Sequence, residues 1–278
     1  MNVTNIKYTF MIALAVSLSS CKAQDVDFYD MESSEKSFNE RHDRELIIYM
    51  SLETMFPDRK VRALAEAAGK GKVQELEELV SQGVDVNSQG AKGVTPLFWA
   101  LRNANVEAFK KLLALGADPN IIFADSSVMH WAARQKNTIF LRNALDHGGN
   151  ANLVAGKLGE TPLFETIGVE GSGNVEAMRI LLDSGADINA VTGGEKVFNM
   201  SMGGITPVMA AADVVRFDIV YELLKRGADY RFEDDSGRDL VDRIVVLKGR
   251  FAAGSKQQRY MKEVVVWLKE RGVVMPEG

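Results

Sequence analysis

Cys21 is the only thiol among 278 residues, and it stands just beyond the apolar run Phe10–Leu18, "FMIALAVSL". A lone thiol can be a nucleophile, a metal ligand, half of a disulfide or the attachment point of a thioether. The first two roles need neighbours that this sequence does not supply. His42, His130 and His147 are the only histidines, and none has a second ligand-type residue at metal-site spacing. His147 falls at the end of a helical stretch, where an imidazolium would complement the helix dipole. "GRFAAGSK", Gly249–Lys256, has the residues of a phosphate loop in the wrong order, because its lysine follows its serine and no strand leads into it. "GVEGSGN", Gly168–Asn174, contains no Gly-x-Ser-x-Gly elbow, and its glycines widen a helix–helix turn. No catalytic residue, metal or cofactor is assigned.

The head before the apolar run carries Lys7 as its one side-chain charge. Spanning a bilayer takes about 20 apolar residues, so the run reads as a secretory signal peptide over residues 1–20. Leu18-Ser19-Ser20-Cys21 resembles the bacterial lipobox, which implies that Cys21 becomes the first residue of the exported protein and carries lipid. A diacylglyceryl group with an amide-linked acyl chain exceeds the two lipid signals needed for stable anchoring. Lys22 stands where an aspartate would signal inner-membrane retention, so the expected location is the periplasmic side of the envelope, on the outer membrane. With its one cysteine acylated, the exported part holds no disulfide and depends on its core. The formal charge is −5, and loss of Lys7 makes it one unit more negative. That balance argues against nucleic acid or an anionic lipid surface as partner.

Residues 21–43 are polar and acid-rich and read as a tether. The folded domain is expected over 44–278. Leu46, Ile47, Met50, Leu52, Met55 and Phe56 predict a capping helix over 44–56, ended by Pro57. Asp58 is placed to cap the next helix, 59–68, with Gly69 and Gly71 as its breakers. Beyond it the chain repeats one phrase: "GVDVN" from Gly83, "GADPN" from Gly116, "GGNAN" from Gly148, "GADIN" from Gly185 and "GADYR" from Gly227. A second phrase runs in phase with it: "GVTPLFWAL" from Gly93, "SSVMHWAAR" from Ser126, "GETPLFETI" from Gly159 and "GITPVMAAA" from Gly204. Proline suits the first helical turn, threonine before it caps that turn, and glycine after the second helix supplies a left-handed exit.

These phrases identify residues 59–275 as resembling the ankyrin repeat. The resemblance implies an all-α solenoid of about five repeats plus a divergent terminal one, a monomer acting by protein binding. His130 sits at the histidine position of the family's phrase, where it bonds neighbouring turns. Trp99 and Trp131 are expected in the core.

Departures from regular spacing point to the contact surface. "NAVTGGEKVFNMSMGG", Asn189–Gly204, lengthens one finger and offers Lys196, Val197, Phe198, Met200 and Met202, apolar and flexible groups suited to a partner. A second insertion, 247–259, adds Lys248, Arg250, Lys256 and Arg259 around Phe251. On the concave side Arg102, Arg134, Glu165 and Asp213 form an expected polar row on successive first helices. The lipobox, the stretch from Phe56 to Asn87 and the ending from Gly254 to Val273 resemble a more specific group. Its members are exported ankyrin lipoproteins that act as immunity proteins against type VI lipase effectors. That resemblance implies a lipase-type toxin as partner. The alternative is a periplasmic ankyrin scaffold serving envelope or oxidative-stress proteins.

Replacing Cys21 by alanine is expected to abolish incorporation of a fatty-acid probe. Labelling that survives in C21A, or never occurs in the native protein, would refute the lipid anchor.

Overall fold

The computed structural model describes residues 47–168, 173–193, 196–197, 200–201, 203–251 and 254–276. Cys21, the leader, the tether, Phe198 and Met202 lie outside the described residues. A short helix α1 (Leu52–Met55) precedes six helix pairs: α2 (Arg59–Lys70) with α3 (Val73–Ser81), α4 (Pro96–Arg102) with α5 (Val106–Ala114), and α6 (Val128–Arg134) with α7 (Ile139–Asp146). They continue as α8 (Pro162–Glu165) with α9 (Val175–Asp183), α10 (Pro207–Asp213) with α11 (Phe217–Lys225), and α12 (Leu240–Leu247) with α13 (Lys256–Lys269). Each first helix packs on the first helix of the next pair, so five full units and a divergent sixth stack in a row. One apolar core runs through them from Ile47 to Leu268, as expected of units that contact only their neighbours.

The fingers between pairs carry little strand. β1 (Ile122–Phe123) pairs antiparallel with β2 (Ser126–Ser127), and β3 (Lys196–Val197) with β4 (Met200–Ser201). What aligns the fingers is a ladder of asparagines. Asn87 donates through Nδ2 to the Gly116 carbonyl (3.1 Å) and accepts the Asp118 N–H on Oδ1 (2.8 Å). Asn120 does the same to Gly148 and Asn150, and Asn152 to Gly185 and Asp187. Asn189 accepts from Asp229 N–H at 2.9 Å. Within each phrase the third residue's side chain accepts the fifth residue's N–H, as Asp118 does from Asn120 at 2.8 Å, which holds the asparagine in position to reach across.

Three expectations are corrected. Of the helix expected over 44–56, residues 44–46 lie outside the described residues, and from 47 onward the helix covers only Leu52–Met55, because residues 47–49 form a turn and Ser51 starts the helix by accepting the Thr54 N–H. Gly69 does not break α2; only Gly71, at φ 72°, ends it. Gly69 is instead a contact point, since a Cβ there would lie 2.6 Å from Trp99 Nε1. The threonine caps also divide. Thr95 Oγ1 accepts the Phe98 N–H, yet Thr161 and Thr206 stand at helix starts with buried hydroxyls that find no partner. The third unit adds a second partner. There Ser127 Oγ lies 2.7 Å from His130 Nδ1, and His130 Nε2 lies 3.1 Å from the Glu160 carbonyl of the next finger. In the second, fourth and fifth units Phe98, Phe164 and Met209 stand at the histidine position, so among these caps Ser127 alone has an imidazole beside it.

Gly168 and Gly173, at the two ends of the glycine-rich stretch, have a purpose that spacing alone did not reveal. Arg216, buried, donates from Nη1 to the Gly168 carbonyl (2.9 Å), and a Cβ on Gly173 would lie 2.2 Å from that nitrogen. Asp218 closes the arrangement on Arg216 Nε at 2.8 Å and on Lys256 Nζ at 3.2 Å.

Removing an unsatisfied buried hydroxyl recovers its desolvation cost. Thr161→Val and Thr206→Val are each expected to raise stability by about 1 kcal/mol, read as a higher urea midpoint. Ser127→Ala, which loses a cap and the histidine's partner, is expected to lower it by about 1 kcal/mol. Destabilisation by both valines would show that those hydroxyls are bonded.

Candidate functional site

Each of the four residues expected in a polar row is paired within the protein, and only Arg134 and Glu165 pair with each other. Arg102 donates to the Met50 carbonyl at 2.8 Å and lies over the Trp99 ring at 4.4 Å, which ties the N-terminal turn to the second unit. Burial lowers its pKa from the usual arginine value. Arg134 lies over Trp131 at 5.4 Å and pairs with Glu165 at 3.2 Å. Glu165 is one turn out of register with the arginines. It occupies the place that Trp99 and Trp131 hold in their own helices, and that offset lets it reach back to Arg134. Trp99 is buried as expected; Trp131 is partly exposed.

Asp213 completes the row and meets a buried arginine that the sequence reading overlooked. Arg243, on α12, holds Asp213 at 3.0 Å and Asp234 at 2.6 Å, and donates to the Arg238 and Asp239 carbonyls. Crowding by the surrounding protein raises the Asp213 carboxyl above its usual value against the pull of Arg243. Burial pushes Asp234 the same way, but hydrogen bonds from Arg243 and from the Arg238 and Ser236 N–H groups outweigh it, so Asp234 stays below the usual range. This centre locks the divergent sixth unit onto the fifth.

The basic insertion also divides. Arg250 is exposed, while Phe251 packs edge-on against Phe217 at 5.9 Å and secures the turn to the core. The long finger forms the hairpin β3–β4, with Lys196 opposite Ser201 and Val197 opposite Met200. Its base is fixed on both sides: Thr192 donates its N–H to the Ile205 carbonyl and accepts the Gly204 N–H on its own carbonyl and the Ile205 N–H on Oγ1, Gly193 donates to the Leu158 carbonyl at 2.7 Å, and the Asp235 N–H donates to the Gly203 carbonyl. Its described residues therefore combine a bonded base with two paired backbone positions.

A further set of residues lies along the fingers. Ile122, Val154 and Val191 each stand two residues beyond a ladder asparagine, and they are 45%, 61% and 44% exposed. Because the asparagines align successive fingers, the three aliphatics form one stripe beside the long finger. Gln89 holds the equivalent place before the stripe. The signal was present in the sequence as "NII", "NLV" and "NAV", but burial alone distinguishes an exposed aliphatic from a core one. Among the described residues no group of three or more His, Cys, Asp or Glu could hold a metal, and no helix is long and apolar enough to cross a membrane.

The family model for ankyrin repeats (three copies) matches residues 43–122 and 129–234. A mitochondrial disaggregase of Bos taurus is 44% identical over 79 residues, 28% of this chain and 12% of that protein. Protein PhlB of Serratia liquefaciens is 33% identical over 126 residues, 45% of this chain and 54% of that protein. The chain thus spans about an eighth of the first relative and about half of the second. The crystal structure of the ankyrin repeat domain of Bcl-3, a member of the IkappaB protein family, superposes with a TM-score of 0.60 at 21% identity, covering 74% of this chain and 85% of that one. That likeness shows the fold alone.

Arg243→Met leaves the buried Asp234 with only the longer, exposed Arg238 contact at 3.5 Å and is expected to cost about 3 kcal/mol, whereas Asp213→Asn should cost under about 1 kcal/mol. Asp234 has a depressed folded pKa, so its contribution is complete above the unfolded value near 4 and disappears as pH falls through the folded one. Native protein should therefore lose more stability between about pH 4 and 2 than R243M does. Equal acid sensitivity in urea titrations would remove the arginine from this role.

Proposed function

The chain belongs to the ankyrin-repeat family, a protein–protein interaction module, and from that premise we propose that it is a lipid-anchored binding protein of the periplasmic face that captures and blocks an antibacterial lipase effector. One observation carries the binding surface: Ile122, Val154 and Val191, exposed in register on three successive fingers and continuous with the long hairpin finger. Aliphatic groups in an aligned row lose little when a partner dehydrates them, and such patches mark interaction sites. The concave polar row is already paired internally, which leaves the fingers as the surface with unspent apolar area. The lipase as partner is supported by the resemblance of the leader, the lead-in to the repeats and the closing stretch to exported immunity lipoproteins. An anchor at Cys21 would hold the inhibitor where a phospholipid-attacking toxin acts.

The test is binding and inhibition of the lipase encoded beside this protein's gene. Val154→Asp with Val191→Asp is expected to weaken binding by at least about thirtyfold, while stability changes by no more than about 0.5 kcal/mol at each exposed site. Phe198→Asp with Met200→Asp tests the hairpin separately. Inhibition unchanged in both double variants would remove the fingers from the interface. Failure of the native protein to bind any adjacent lipase would favour an envelope scaffold.

A further inference from the structure

A second surface lies at the C-terminal end of the stack. In each earlier finger the phrase ends in an asparagine that bridges to the next unit. The fifth ends in Arg231, which turns back and bonds the Asp229 carboxylate through its own N–H (3.0 Å) and Nε (3.1 Å). The corresponding place at the end of α13 is Gly272, at φ 83°, followed by Val273 and Val274. Where the next bridge would stand, a cleft of about 570 Å³ opens between the fifth phrase and α13.

Its floor is aromatic and its rim is cationic. Tyr230 meets Trp267 edge-on with centroids 5.9 Å apart. The Arg271 guanidinium carbon lies 3.6 Å from the Trp267 centroid, and that of Arg231 lies 5.6 Å from the Tyr230 centroid. Lys225, also lining the cleft, sits over the Tyr221 ring at 5.3 Å and has no ion-pair partner among the described residues. Asp229 is the one acid in the lining. Hydrogen bonds from the Arg231 N–H and side chain hold its pKa below the usual range, so it remains charged and offsets one cation of three. Arg271 spends one N–H on the Trp267 carbonyl (3.1 Å) and approaches Glu270 only at 4.0 Å, both side chains being open to water. A guanidinium stacked on an indole is held flat, with its edge free for a carboxylate. The whole protein is acidic, which makes this cleft a cationic island.

We propose that the cleft binds an acidic segment of a partner protein, with carboxylates on Arg231, Arg271 and Lys225 and an apolar side chain between them on the Trp267–Tyr230 floor. The assignment rests on the missing asparagine bridge, the stacked arginines and the charge imbalance. It is independent of the lipase reading.

The test is a titration of full-length protein with acetyl-Glu-Phe-Glu-amide, read on the Trp267 indole N–H resonance and identified by its loss in Trp267→Phe. The acidic peptide should shift that resonance saturably. Acetyl-Gln-Phe-Gln-amide should bind at least about tenfold more weakly, and Arg231→Ala with Arg271→Ala should lose about tenfold or more. Both arginines are exposed, so the double variant is expected to stay folded. No shift at 10 mM peptide (about the weakest binding such a pairing would give), equal binding by the glutamine peptide, or unchanged binding by the double variant overturns the proposal. Acetate or inorganic phosphate binding as tightly as the peptide would also overturn it, by showing a simple anion site.

Discussion

An asparagine at the end of one phrase, bonded to the turn of the next, is the interaction on which the remaining structure depends. A single helix pair cannot bury its own apolar face, so stability comes only from stacking. Stacking without register would leave backbone donors and acceptors of the turns facing each other at random. The asparagine supplies a donor for one carbonyl and an acceptor for one N–H, and so fixes each unit's translation and rotation on the last. Aligned fingers follow from it, and so does the row of Ile122, Val154 and Val191. The ladder's end is equally consequential. With Arg231 in the asparagine's place the next joint is absent, and a cleft lies there.

Charge joins units as well as bracing single helices and turns. Arg142 pairs with Glu176, Arg179 with Glu222, Arg226 with Asp183, and Lys111 with Glu77, each between second helices of adjacent units. Exposed pairs of this kind contribute little individually. The buried ones matter differently. Arg216 and Arg243 each replace a missing regular feature: Arg216 holds the Gly168 carbonyl, and Arg243 fastens a sixth unit that lacks Thr-Pro. Because these cations and carboxylates are mutually satisfied, the concave face presents less unpaired charge than its sequence implies.

Local strain accompanies one of these devices. The turn between α10 and α11 puts Val215 at φ 62°, where the first two units have Gly71 and Ala104 at φ 72° and 53°. A β-branched residue is costly in that region. Its neighbours are Arg216 and Phe217, whose N–H meets Gln257 of α13 at 3.2 Å. The strained residue lies at the point where the fourth, fifth and sixth units are joined.

Repeat number, helix order and the all-α solenoid were legible in the sequence because each depends on local chemistry recurring in phase: proline at a helix start, glycine at a helix exit, apolar residues at helical spacing. His130 was legible for the same reason. The insertions were visible as lengths, though their internal order was not, since the β3–β4 pairing depends on partners across a turn. What the sequence could not decide was which polar residues are free. Arg102, Glu165 and Asp213 look alike as exposed charges along a helix, yet their partners Met50, Arg134 and Arg243 lie 30 to 52 residues away. Gly69 shows the same limit, since only the approach of Trp99 turns an apparent helix breaker into a contact. Local sequence fixes the unit. Contacts between units, which depend on three-dimensional register, decide which side chains remain available to a partner.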